Sequence, residues 1–140
     1  MDADTVIAHL GLQAHPEGGW YRETFRDVPA ADGREAAAHI LYLLRQGERS
    51  HWHRIDATEI WHFSMGAPLE LAIAAPEGSA VRTITLGADL QHGNVPHAVV
   101  PAGAWQSARP LGAYTLVGCT TVPAFRFDGF ELTPPGWEPV

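Results

Sequence analysis

Gly47-Glu48-Arg49-Ser50-His51-Trp52-His53, followed by Glu59 and then by Gly66, is the stretch on which the reading of this chain turns. On a β-strand, residues i and i+2 point to the same face, so the spacing predicts that His51 and His53 project side by side. A turn through Asp56 and Ala57 would send the next strand back antiparallel and let Glu59 face the same interior. Two imidazoles and one carboxylate converging on one space form the facial triad that suits Fe(II), and such a set could equally hold Mn, Ni or Zn. Buried His and Glu can also satisfy one another by hydrogen bonding without any metal, and the spacing leaves both readings open.

Outward from this stretch the pattern is that of an all-β chain behind one short helix. Asp2 or Asp4 can cap the helix, Val6, Ile7 and Leu10 have helical spacing, and Gly11 suits the left-handed position past its end. Beyond Leu12 the hydrophobic period changes to two. Strands are expected at residues 20–25, 39–44, 50–54, 59–64, 69–74, 81–86, 98–100, 105–108, 114–122 and 126–132. Glycine and proline fall mostly between them, as at Gly66-Ala67-Pro68, Pro76-Glu77-Gly78 and Pro101-Ala102-Gly103. Many short strands broken by turns in 140 residues indicate a sandwich or barrel. Residues 27–35 read as a loop and 134–140 as a tail, and no linker divides the chain into domains. In residues 113–122 both strand faces are largely uncharged, which calls for cover on both sides and points to a homodimer or a self-covering sandwich.

Composition bounds the functions. With 9 Lys and Arg against 16 Asp and Glu the net charge is −7, so the chain repels phosphate backbones, and nucleic acid is not an expected partner. At 46% hydrophobic and 18% charged it is too apolar for a disordered chain. Its apolar runs fall far short of the roughly 20 residues that span a bilayer. The acidic N-terminus is unlike a secretory leader, and the single cysteine, Cys119, fits a reducing cytoplasm. Eight histidines are the unusual count. Of these, His9 and His92 read as solvated, His39 as half-buried, and His62 as structural or at an interface, with His97 undecided.

Residues 47–66 resemble the first cupin motif: a glycine, His-x-His, a glutamate, then a glycine after six residues. The segment from Gly93 to Pro101-Ala102-Gly103-Ala104-Trp105-Gln106 resembles the second, in which Pro-x-Gly is followed by a histidine three residues after the glycine. More closely, the chain is similar to cupin family five, a family of unknown function. This match rests on Leu10-Gly11-Leu12 with residues 15–24 (HPEGGWYRET), residues 50–63 (SHWHRIDATEIWHF), residues 101–106 (PAGAWQ), and Leu116-Val117-Gly118-Cys119-Thr120. The resemblance covers residues 10 to about 132 of a single domain spanning 1–140. It implies a double-stranded β-helix, the cupin jelly-roll barrel, usually dimeric, with a pocket at the barrel mouth. The sequence departs from the motifs twice: five residues separate His53 from Glu59, more than is usual, and Gln106 stands where the second motif has histidine. A neutral amide oxygen is a poorer transition-metal ligand than imidazole.

The expected site residues are therefore His51, His53 and Glu59 for catalysis or, with Gln106, for a divalent metal. Arg22, Trp20, Trp61 and Gln106 are the candidates for substrate contact. Trp20, Arg22 and Thr24 share one strand face, from which Arg22 could grip an anionic group; alternatively it staples strands at the surface. Trp52 and Trp105 point to the opposite face as core or dimer contacts, and Cys119 reads as a buried, inert thiol. Three functions fit: a metal-dependent enzyme on a small polar metabolite, a metal-free isomerase or sugar-nucleotide epimerase with a histidine base tuned by Glu59, and a non-catalytic binding module.

Overall fold

The helix α1 (Ala3–Leu10) is set by its two ends. Asp2 accepts the Thr5 N–H at 2.8 Å, and Gly11 closes the helix at φ 67°. Its apolar side, with Val6 buried, together with Leu12 just beyond the cap, covers Leu43 and Leu116 on the outside of a sheet. In this computed structural model, which describes residues 1–140, everything after α1 is strand, turn or short 3-10 helix. No helix is long and apolar enough to cross a membrane.

The strands are β1 (Gln13–Ala14), β2 (Trp20–Arg26), β3 (Ala38–Arg45), β4 (Ser50–Ile55), β5 (Thr58–Gly66) and β6 (Leu69–Ala74). They continue as β7 (Arg82–Leu86), β8 (His97–Val100), β9 (Trp105–Pro110), β10 (Tyr114–Val122) and β11 (Phe130–Leu132). Two antiparallel sheets result, ordered β1-β2-β3-β10-β5-β8 and β11-β4-β9-β6-β7. Consecutive strands largely alternate between the sheets, which is the double-stranded β-helix expected from the sequence. Between the sheets, Tyr42, Leu44, Trp61 and Val117 of one meet Leu69, Leu71, Ile73 and Leu86 of the other in the main core.

Two expectations need correction. Residues 126–132 do not form one strand: a 3-10 turn at Phe127–Gly129 precedes β11, which pairs with the end of β4. Residues 134–140 are not a free tail. Trp137 lies against Trp105 and Trp52, at ring-centroid separations of 5.0 and 6.0 Å, and the Trp52 indole N–H donates to Glu138 at 3.1 Å. The Val140 N–H closes the strap on the Gly78 carbonyl at 2.8 Å. Trp52 and Trp105 thus form a satellite core outside the second sheet, and the chain itself covers them. Part of the apolar outer face of β10 is likewise covered from within, by α1.

Replacing Trp137 by alanine removes the ring that roofs this satellite core. A loss of roughly 1–3 kcal/mol is expected, since an aromatic contact of this kind carries both area and ring–ring attraction. Thermal unfolding should show a transition several degrees lower, with the far-ultraviolet signal of the folded state unchanged.

Candidate active site

A β-bulge decides which residues of the histidine stretch face inward. The β4–β9 register shifts between Ser50 and His53, which inserts an extra residue on β4 and reverses the alternation of its side chains. Ser50 and His53 are both buried and both meet Glu17, while His51 is exposed on the side of the C-terminal strap. The expectation that His51 and His53 project together is therefore not met. A period of two holds only while the ladder is unbroken.

His53 lines a cavity of about 410 Å³ at one end of the barrel. Its Nδ1 lies 2.7 Å from the His51 carbonyl oxygen. A carbonyl can only accept, so Nδ1 carries the proton and Nε2 keeps a lone pair facing Glu17 Oε2 at 3.4 Å. Burial lowers the His53 pKa, against the opposing pull of the Glu59 charge and the His51 carbonyl, and so favours the neutral ring.

Glu17 is the central residue that the motif reading leaves out. It sits in the turn before β2, where Gly18 passes so close to β4 that a Cβ would lie 2.1 Å from the Arg49 carbonyl oxygen. Gly18 also has φ 104°, so both space and conformation require glycine there. The close approach presses Glu17 into the barrel, where Ser50 Oγ donates to its carboxyl group. Burial raises its pKa to about 8, the hydrogen bonds to Ser50 and Tyr42 opposing. His15, two residues earlier, accepts the Glu17 N–H on Nδ1 at 3.1 Å, and burial, then the His53 charge, lowers its pKa to about 4. The 3.4 Å approach of His15 Nδ1 to Glu17 Oε1 thus joins two neutral groups at pH 7 and is no ion pair. The hint in the sequence was His15-Pro16-Glu17 before Gly18-Gly19: two proton-carrying side chains ahead of a turn that folds them inward.

Glu59 faces the same cavity from β5, as expected. Burial, then the Glu17 charge, raises its pKa to about 7, with His53 and Gln106 opposing. Gln106 stands behind it. Its Oε1 accepts from the Trp61 indole at 2.8 Å and its Nε2 donates to Glu59 Oε1 at 2.8 Å. Because an indole N–H can only donate, this amide has one orientation.

The remaining expected contacts lie elsewhere. Trp61 is buried in the main core and Gln106 behind Glu59, so neither lines the cavity. Trp20 packs beside α1, donates to Glu48 and lies under Arg45. Arg22 is exposed and donates to the Leu10 carbonyl. The opposite face of β2 supplies the cavity wall instead, through Tyr21 and Glu23. The four residues expected around a metal do not fit one: His51 faces away, and the Gln106 oxygen is committed to Trp61. No three His, Cys, Asp or Glu side chains stand so as to hold an ion.

These titrations set a pH dependence of stability. Glu17 and Glu59 have folded pKa values above their ordinary 4.5, so their contribution is complete below about pH 4.5 and is lost as pH rises toward 8. His15 and His53 have lowered values, so their contribution is present above 6.5 and lost on acidification. Between pH 6.5 and 8 only the carboxyl groups act. Stability should fall there by an amount of order 2 kcal/mol for Glu17 alone. Denaturant titrations at several pH values check this, and Glu17→Gln should flatten the slope.

A family model described as "Cupin superfamily (DUF985)" matches residues 4–133. Among solved structures, protein SO0799 from Shewanella oneidensis superposes with a TM-score of 0.90 at 40% identity, over 95% of this chain and 85% of the other. A hypothetical protein from Leishmania major gives 0.86 at 28% identity, over 95% and 88%. A dTDP sugar isomerase from Desulfovibrio desulfuricans shares the fold at 0.64 and 15% identity, over 89% and 88%. No curated protein matches the chain.

Proposed function

The chain belongs to this DUF985 family of the cupin superfamily, and within that fold we propose that it is a metal-independent enzyme that moves a proton between two positions of a small polar metabolite, as isomerases and epimerases do. The fold hosts unrelated chemistries, so the reading rests on the site. The observation that carries it is the buried triplet Glu17–His53–Glu59 at the end of a cavity of about 410 Å³.

The three groups divide into roles by environment. His53 is the base: its proton sits on Nδ1 against the His51 carbonyl, so Nε2, beside Glu17, is the unprotonated nitrogen that takes a proton from substrate. Glu59, held by Gln106, supplies the negative charge that stabilises the imidazolium once formed. Glu17, which keeps its proton to about pH 8, is the acid that returns a proton to the neighbouring position. Burial excludes bulk water from all three, which strengthens each interaction. His51, by contrast, contributes its backbone carbonyl and not its side chain.

The test is incorporation of solvent deuterium into a panel of hydroxy acids, sugars and amino compounds in D₂O, followed by NMR. His53→Gln and Glu17→Gln should each slow exchange about 10²-fold or more, whereas His51→Ala should stay within about twofold. Stoichiometric Fe, Mn, Ni or Zn required for activity in untagged protein would overturn the metal-free reading. A ligand bound without exchange or turnover would make the protein a binding module.

We also infer a homodimer in the cytoplasm. The outer face of β5 and β8 presents Ile60 paired with Val99, the latter exposed, beyond the area that α1 covers. The lone thiol Cys119 is buried and unpaired, as suits a reducing compartment. Light scattering should give twice the chain mass, and Val99→Asp should shift it to the single-chain value.

A further inference from the structure

The same cavity has a mouth whose chemistry selects the charge of what enters. Five carboxyl side chains line it, Glu17, Glu23, Glu35, Glu59 and Asp128, of which Glu17 keeps its proton at pH 7, against two guanidinium groups, Arg26 and Arg126. Both arginines stand beside acids, Arg26 the more closely. Arg26 makes a two-point contact with Glu23 at 2.7 and 3.2 Å, reaches Glu35 at 3.3 Å, and donates to the Phe125 carbonyl at 3.0 Å. Arg126 lies 3.6 Å from the other oxygen of Glu35. The histidines of the cavity give no positive charge, since burial keeps them neutral. A phosphate or carboxylate entering here would meet more carboxyl than guanidinium groups, and the fork of Arg26 is already engaged by Glu23.

The wall between these charges is aromatic. Phe125 and Phe127 meet edge to face with centroids 4.8 Å apart, and Tyr21 lies edge-on to His15 at 4.5 Å. Phe127 is 55% exposed although it lines the cavity, an unusual position for a ring without a partner to cover it. Asp128, next in the chain, is exposed and has no ion-pair partner. Ring faces carry negative potential, and rings beside an unpaired carboxylate form the environment that attracts an organic cation.

We infer that the ligand of this cavity carries an ammonium group, seated against Phe125, Phe127 and Tyr21 and drawn in by Asp128. This deepens the proposed function, on which it rests only in taking the same cavity as the working site. It makes the substrate an amine or quaternary ammonium compound and disfavours sugar nucleotides and other phosphorylated metabolites.

Calorimetric titration of the full-length protein with four probes at one pH and ionic strength tests this: benzyltrimethylammonium, benzyl alcohol, phenylacetate and inorganic phosphate. The cation should bind about tenfold or more tighter than the alcohol, with no measurable binding of either anion. Phe127→Leu keeps an apolar side chain at an exposed position, and it should weaken the cation about three- to tenfold while leaving the alcohol unchanged. Asp128→Asn should weaken the cation alone. An anion that binds as well as the cation, an alcohol that equals it, or no binding of any probe would overturn the inference. Cation binding without deuterium exchange would leave it standing and remove the catalytic reading, whereas exchange into an anionic metabolite with the cation excluded would do the reverse.

Discussion

The hydrogen-bond chain from Trp61 through Gln106 to Glu59 ties the barrel core to the site, and the rest of the cavity depends on it. Trp61 is wedged among the core side chains, its indole N–H needs an acceptor, and the only orientation of Gln106 that supplies one aims its NH₂ at Glu59. A carboxylate buried without a cation is costly, and two of them close together cost more. The fold holds Glu59 and Glu17 by neutral donors, Gln106 and Ser50, and by letting their protons stay on to higher pH. In place of an ion pair the site thus keeps a supply of protons near neutrality.

This arrangement explains what stands in the second motif. A histidine at position 106 would bring a ligand for a metal; glutamine brings an amide whose oxygen is spent on Trp61 and whose nitrogen cannot coordinate. Together with the outward turn of His51, this leaves His53 and Glu59 as the two of the four expected ligands that face the cavity. At the mouth Arg26 is engaged by Glu23 and Glu35, and the cavity lining holds five carboxyl groups and three aromatic rings, Tyr21, Phe125 and Phe127, beside its two histidines.

Much of the fold was legible because its signals are local. Period-two runs bounded by glycine and proline located β2 to β10 to within two residues at each end, though not the short β1, and Asp2 and Gly11 marked both ends of the helix. Errors arose where distant contacts override local character. Residues 134–140 look like a tail until Trp137 packs on Trp105, and 126–132 look like one strand until the chain turns at Phe127. The site was legible in part. Of the residues expected there, His53 and Glu59 face the cavity, whereas Gln106 stands behind Glu59 and Trp20, Arg22 and Trp61 lie outside the lining.

The double-stranded β-helix came from the family resemblance; the amino-acid sequence by itself determined that this is an acidic, all-β sandwich or barrel with a glutamate and a histidine available to its interior. Spacing, turn residues and composition are properties of neighbours along the chain, and those are enough for that conclusion. Only the tertiary structure decided which histidine faces in, that Glu17 and His15 join it, and that β2 turns Tyr21 rather than Trp20 to the cavity. The physical reason is common to all three. A single bulge inverts the alternation of a strand, and the close passage of Gly18 over Arg49 carries a distant turn into the barrel. Neither event leaves a period in the sequence, because each depends on how one strand lies against another.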